Sequence, residues 1–146
     1  FPDAPSIYYG DEVGLEGGLD PDSRRVFPSE SQWHTDLLTY HQQLIALRHQ
    51  FVALRTGRYV PLIATGHLYG FERQAEDQSL MVLVNAGVEP VKVHLADLKT
   101  TFPNQPRVLF GPWEKRETTD QDLAWITMPG RRGAVFDCSR AGAAAG

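Results

Sequence analysis

Apolar and polar positions change their period twice along this chain. Near the start, Ser6, Ile7, Tyr8 and Tyr9 form a short β-branched and aromatic run bounded by Pro5 and Gly10, the pattern of a short buried strand. Over 10–28 the composition turns to Gly, Asp, Glu and Arg with no period. A long loop is expected there, and loops of that length inside compact domains are commonly functional or disordered. Leu37, Leu38, Tyr40, Leu44, Ile45, Leu47 and Phe51 then recur at the spacing of an amphipathic helix. Ser29 with Gln32, or Thr35 followed by Asp36, can cap its start. It is expected to end near Gln50, where Arg48 suits the helix dipole and Gly57 and Pro61 close the segment.

Beyond this helix the period falls to two. Alternation runs over 67–73, 80–84, 91–95, 108–110, 123–128 and 134–138, with turn signals at Ala86-Gly87, Pro103-Asn104, Gly111-Pro112 and Pro129-Gly130. Several short strands at such intervals predict a β-sandwich or barrel. The expected fold is therefore mainly β. A strand, loop and helix over 1–57 precede a Greek-key β-sandwich over 58–140, and the small-residue tail 141–146 is expected to be disordered.

Composition narrows the function classes. With 146 residues, 42% of them hydrophobic, the chain can build a packed core. Its net charge of −4 offers no broad attraction to nucleic acid or anionic membranes. Neither is expected as a partner. The single cysteine, Cys138, cannot form an internal disulfide, and no Cys/His cluster has zinc spacing, so no structural metal is expected. Apolar stretches fall far short of the roughly 20 residues that span a bilayer. The chain begins Phe1-Pro2-Asp3 rather than with methionine, the mark of a processed or excised piece, so localisation stays open, with the cytoplasm favoured.

The stretch APSIYYGDEVGLEGGLDPDSRR, over 4–25, resembles the eighth barrel strand and following loop of glycoside hydrolase family 13, the α-amylase family. It is most similar to the cyclomaltodextrinase, neopullulanase and maltogenic amylase branch, in which the strand reads Gly-x-Pro-x-Ile-Tyr-Tyr-Gly-x-Glu and the loop Gly-Gly-x-Asp-Pro-x-x-Arg. LLTYHQQLIALRHQFVALRTG resembles the family's eighth helix and the exit into its C-terminal domain, and LYGFERQ, SLMVLVNAG and MPGRRGAVF resemble strands of that domain. The resemblance implies a C-terminal fragment holding strand 8 and helix 8 of a (β/α)8 barrel plus a sandwich. The parent would cleave α-1,4-glucosidic bonds in cyclodextrins or maltodextrins, with an α-glucan oligosaccharide as partner. Three positions depart from the family: Asp3 replaces a usual Gly, Ser23 a frequent Cys, and Ser29 a frequent Trp.

In barrels of this kind the active site lies at the C-terminal ends of the strands. The resemblance therefore puts the loop after strand 8 on the rim of that site, with Asp20 and Arg24 as the substrate-binding candidates. A carboxylate accepts and a guanidinium donates, so together they can hold vicinal hydroxyls while Pro21 stiffens the turn between them. In this branch the matching Asp and Arg contact glucose units on the non-reducing side of the cut. The competing reading is that the two only salt-bridge to each other and shape the loop. Asp11 and Glu12 are adjacent carboxylates, whereas retaining glycosidases need two carboxyls about 5–5.5 Å apart across one bond, which sequence neighbours seldom provide. The family carries its catalytic carboxylates on earlier strands, and no segment here matches those motifs. No catalytic residue is assigned, and Glu12 is read as a structural acceptor.

Other features carry blander readings. His34, His41 and His49 lack the i, i+4 spacing of metal ligands. Calcium near Asp11, Glu12, Glu16, Asp20 and Asp22 is a weak option, and no other cofactor is implied. Trp33 reads as a packing residue at the helix start. Trp113, Trp125 and Tyr69 are candidates for a sugar-stacking surface, with core packing the commoner fate. Two alternatives to a hydrolase fragment remain: a structural or carbohydrate-binding sandwich module, and a piece of a family transglycosylase or isomerase. A barrel strand without neighbours has unpaired edges, so the segment before Ser29 is expected to be the least ordered, or to mediate homo-oligomer contacts.

Overall fold

A computed structural model describes residues 4–98, 106–111 and 125–139 of the chain. They form two compact units, the first running to Gln50 and the second beginning at Phe51. The expected turn at Pro103-Asn104, Trp113 and the tail 141–146 lie outside the described residues.

The first unit is a chain of turns leading into one helix. Residues 4–8 join no helix or ladder, and no strand occurs among this unit's described residues. The strand expected at Ser6 to Tyr9 is thus corrected. The run of Ile and Tyr has strand propensity, which expresses packing on a pleated surface. Among the described residues no neighbouring strand provides one, and Ile7, Tyr8 and Tyr9 are exposed. Helix α1 spans Thr35–Gln50, ending where the sequence predicted. Asp36 lies in its first turn and Arg48 and His49 in its last, each matching the dipole. Its apolar stripe is thinly covered. Leu47 is buried, Leu37, Leu38 and Leu44 are half-buried, and Tyr40 and Ile45 are exposed.

In the second unit, Phe51 leaves helical geometry at φ −110° and ψ 116°, and a short helix α2 follows at Val52–Thr56. The strands are β1 (Arg58–Thr65), β2 (Leu68–Ala75), β3 (Gln78–Asn85), β4 (Val91–His94), β5 (Arg107–Phe110), β6 (Trp125–Met128) and β7 (Arg132–Asp137). They build a five-stranded antiparallel sheet in the order β1-β2-β3-β7-β5 and a two-stranded antiparallel sheet β4-β6. Pro61 sits in edge strand β1, where the register shifts between Pro61 and Ile63. Edges and bulges are the sheet positions that tolerate a missing N–H.

Both sheets contribute to one core. Leu62, Leu68, Met81, Leu83, Ala134 and Phe136 come from the larger sheet, and Val93, Ile126 and Met128 from the smaller. Burying each large side chain contributes about 1.5–3 kcal/mol, whereas an ion pair with a mostly exposed partner contributes less than about 1 kcal/mol. The core therefore outweighs the Arg107–Asp137 pair, in which the arginine is 71% exposed. On the other face of the larger sheet, α2 packs on β2 and β3. Buried Arg73 donates from Nε to Ala53 O (3.1 Å) and from Nη2 to Arg55 O (3.3 Å), satisfying carbonyls at a helix C-terminus. Buried Glu72 accepts from the Ser79 hydroxyl. Cys138 is fully buried, and burial pushes its thiol up to about 12, so it stays protonated and unreactive.

Asn85 ties the sheets together. It is 0% exposed, and its Nδ2 donates to Glu89 O (2.8 Å), Met128 O (3.2 Å) and Pro129 O (3.2 Å) while its Oδ1 accepts from Gly87 N (3.0 Å). Asn85→Ala strands buried acceptors and is expected to cost about 2–4 kcal/mol, read from urea unfolding. Burial pushes the Asp137 carboxyl up, but the Ser139 hydroxyl and N–H and the Arg107 guanidinium outweigh it and hold the group below its ordinary value. A depressed carboxylate stabilises the fold above its unfolded pKa of about 3.9 and loses that contribution as pH falls through the folded value. Thermal melts from pH 6 to pH 2 are expected to show a shallower acid decline for Asp137→Asn than for the native chain.

Candidate functional site

The loop carrying Asp20 and Arg24 is built from turns, each with a chemical cause. A 3-10 turn at Asp11–Val13 lies between Gly10 (φ 89°) and Gly14 (φ 76°), both left-handed. Leu15 N–H donates to Gly10 O (2.8 Å), and His34 N–H donates to Val13 O (3.1 Å), so buried Val13 anchors the loop to the residues before α1. A Cβ on Gly14 would stand 2.8 Å from the His34 ring, and His34 is accounted for by that packing.

Asp20 and Pro21 are joined by a cis peptide, and a second 3-10 turn spans Asp22–Arg24. Arg25 then closes the loop. Its Nε and Nη2 donate to the two oxygens of Asp22 at 2.6 Å each, its Nη1 donates to Glu16 O at 2.9 Å, and its own carbonyl accepts from the Tyr9 hydroxyl at 2.8 Å. Arg25 holds the Asp22 carboxyl below the usual carboxylate range, with a further contribution from the Gly18 N–H. Asp22 raises the Arg25 guanidinium in turn. A Cβ at Gly18 would stand 2.8 Å from Asp22 Oδ2, so the Gly-Gly sequence is what lets this carboxylate settle against the backbone.

The two predicted substrate-binding residues meet on this frame. Arg24 Nε lies 3.3 Å from Asp20 Oδ1, with side-chain exposures of 79% and 67%, and the Ser23 hydroxyl donates to the same Asp20 oxygen. Only Nε of Arg24 is engaged among the described residues. Nη1 and Nη2 remain as a fork of donors, and Asp20 Oδ2 remains as an acceptor, which is the set needed to hold neighbouring hydroxyls. An ion pair this exposed contributes little to stability.

The remaining candidates separate. Asp11 is exposed while Glu12 is half-buried, with its Oε2 buried and without a partner among the described residues. Trp33 donates from Nε1 to Pro28 O (3.0 Å) and meets Phe27 edge to face with centroids 5.9 Å apart, so it packs. A hollow of about 240 Å³ is lined by Val13, Leu15, Glu16, Pro28, Gln32 and His34 among others; Asp20 and Arg24 do not line it. No group of three or more His, Cys, Asp or Glu side chains could hold a metal ion among the described residues. Sequence reasoning missed the Asp22–Arg25 clamp, although its i, i+3 spacing was a usable signal. It also favoured core packing for Trp125, which is 49% exposed. Tyr69 is half-buried and its hydroxyl bonds that of Tyr59.

No protein-family model matches the chain. Curated relatives do. An amylopullulanase of Thermoanaerobacter thermohydrosulfuricus is 45% identical over 74 residues, covering 51% of this chain and 5% of the relative. A cyclomaltodextrinase of Thermoanaerobacter pseudethanolicus is 35% identical over 86 residues, covering 58% of this chain and 15% of the relative. Among solved structures, the debranching enzyme of Nostoc punctiforme superposes with a TM-score of 0.74 at 42% identity, covering 94% of this chain and 28% of that one, and the same enzyme has been studied soaked with acarbose. The chain thus spans only a small part of the relatives it matches. The resemblance read from the sequence holds: the chain is similar to a portion of α-amylase-family enzymes of the cyclomaltodextrinase and neopullulanase kind.

Gly18→Ala is expected to displace the Asp22 carboxylate and release Arg25. Limited trypsin digestion followed by mass spectrometry should then show faster cleavage after Arg24 and Arg25 than in the native chain.

Proposed function

We propose that this chain, a portion of an α-amylase-family α-glucan hydrolase, supplies a sugar-gripping edge of the parent enzyme's substrate cleft and a stabilising β-rich unit, but not the carboxylates that break the bond. On this reading the first unit is the remnant of a (β/α)8 barrel, and the two antiparallel sheets with their shared core are a Greek-key β-sandwich. The parent hydrolyses α-1,4-glucosidic bonds in cyclodextrins and maltodextrins. Similarity to cyclomaltodextrinases, and the acarbose-soaked form of the Nostoc punctiforme enzyme, support an α-glucan as its ligand.

One observation carries the assignment of Asp20 and Arg24. Of two adjacent arginines, Arg25 has all three guanidinium nitrogens engaged within the loop, whereas Arg24 keeps Nη1 and Nη2 open among the described residues, beside an exposed carboxylate. A loop residue needed only for structure would resemble Arg25. Arg24 instead has the donors that sugar hydroxyls require, held on a frame that Arg25 fixes. Hydrogen bonds to charged groups contribute about 1.5–3 kcal/mol, or roughly 10- to 100-fold in affinity.

In the full-length protein, Arg24→Ala and Asp20→Ala are each expected to lower kcat/KM on maltotriose by about 10- to 100-fold with little change in melting temperature. Unchanged kinetics in both variants would leave the pair as a surface ion pair only.

A further inference from the structure

The two-stranded sheet carries a patch that the loop residues do not explain. β4 and β6 pair so that Val93 stands opposite Ile126, Lys92 opposite Thr127 and His94 opposite Trp125. Side chains alternate between the faces of a sheet. Val93 and Ile126 are buried in the core at 2% and 7% exposure, so Lys92, His94, Trp125 and Thr127 share the opposite face. Trp125 is 49% exposed there. Its ring meets that of His94 near a right angle, with centroids 4.6 Å apart and planes at 76°. This contact holds the indole without the parallel stack that would cover it. The Ala96 N–H donates to His94 Nδ1 at 3.2 Å, so in the neutral ring the proton resides on Nε2, which is then a donor.

We propose that this face of the β-rich unit is a further α-glucan-binding surface. The Trp125 ring stacks on the C–H face of a glucose unit, and His94 Nε2–H and the Thr127 hydroxyl bond its hydroxyls. The proposal rests on the α-glucan reading of the parent enzyme and extends it to residues other than Asp20 and Arg24. Opposed side chains in an antiparallel pair stand about 4.5–5.5 Å apart, so the aromatic plane and the polar groups fall within the span of one or two sugar rings. A pyranose alternates apolar C–H faces with hydroxyls and matches that mixture. An apolar helix would want an uninterrupted greasy surface, which Lys92, His94 and Thr127 break up. A phosphate backbone would want several cations, and this face has one lysine in a chain of net charge −4. A surface of this kind raises the effective concentration of a long glucan on the enzyme that cuts it.

The test uses the full-length protein with Trp125→Ala and Trp125→Tyr. Electrophoresis through gels containing amylopectin reads glucan retention, and reducing-sugar release from maltotriose reads catalysis. Trp125→Ala is expected to weaken retention by about tenfold, the size of one aromatic stack. Trp125→Tyr, which keeps a ring, should retain most of it, and both should keep kcat/KM on maltotriose. Retention of Trp125→Ala equal to wild type overturns the proposal while the α-glucan reading stands. Loss of maltotriose turnover in parallel with retention also overturns it, by showing that Trp125 acts through the fold. A wild-type protein that neither binds amylopectin nor cleaves maltotriose removes the α-glucan reading itself, and this surface with it.

Discussion

Within the loop after Tyr9, two nitrogens of Arg25 reach both oxygens of Asp22 and the third reaches the Glu16 carbonyl. Everything proposed for this loop depends on that clamp. Gly18, lacking a Cβ, lets Asp22 settle against the backbone, and the Tyr9 hydroxyl ties the Arg25 carbonyl to the start of the chain. With one arginine engaged in this way, its neighbour Arg24 stays at the surface beside Asp20, keeping donors that no described residue takes. An exposed ion pair contributes little stability, so the role proposed for the pair rests on what it can bind and not on what it holds together.

The β-rich unit works by a different constraint. Its two sheets share one apolar core, and the buried Asn85 amide joins the end of β3 to carbonyls of Met128 and Pro129 at the end of β6. Because Ile126 and Met128 are the residues that β6 turns inward, Trp125 and Thr127 must face outward. Core formation thereby fixes an aromatic ring on an otherwise polar face.

Much of this was legible in the sequence, and the failures have identifiable causes. The helix ending at Gln50 followed from apolar spacing, and the alternating runs after Gly66 mark six of the seven strands among the described residues closely. β1 was hidden by Pro61, which a central strand would reject but an edge strand with a bulge accepts. Helix α2 was hidden because Phe51 continues the helical spacing while its backbone leaves the helix to seat the ring in the core. The run Ser6 to Tyr9 has strand chemistry but no strand to pair with among the described residues. Alternation over 123–128 favoured core packing for Trp125 but could not say which face was buried, and the ring lies on the exposed one. In the loop, Asp20 and Arg24 stood out as residue types, yet which of two adjacent arginines is left open depends on Gly18 and Asp22, a three-residue geometry that no single position reveals.

The central claim is that these residues grip an α-glucan but do not cut it. The most direct measurement is reducing-sugar release from cyclodextrin and maltotriose by this chain alone and by the full-length protein. The account predicts release by the full-length protein and none by the chain. Release by the chain alone would contradict it, and would place catalytic carboxylates within these residues, with Asp11 and Glu12 the first to be tested.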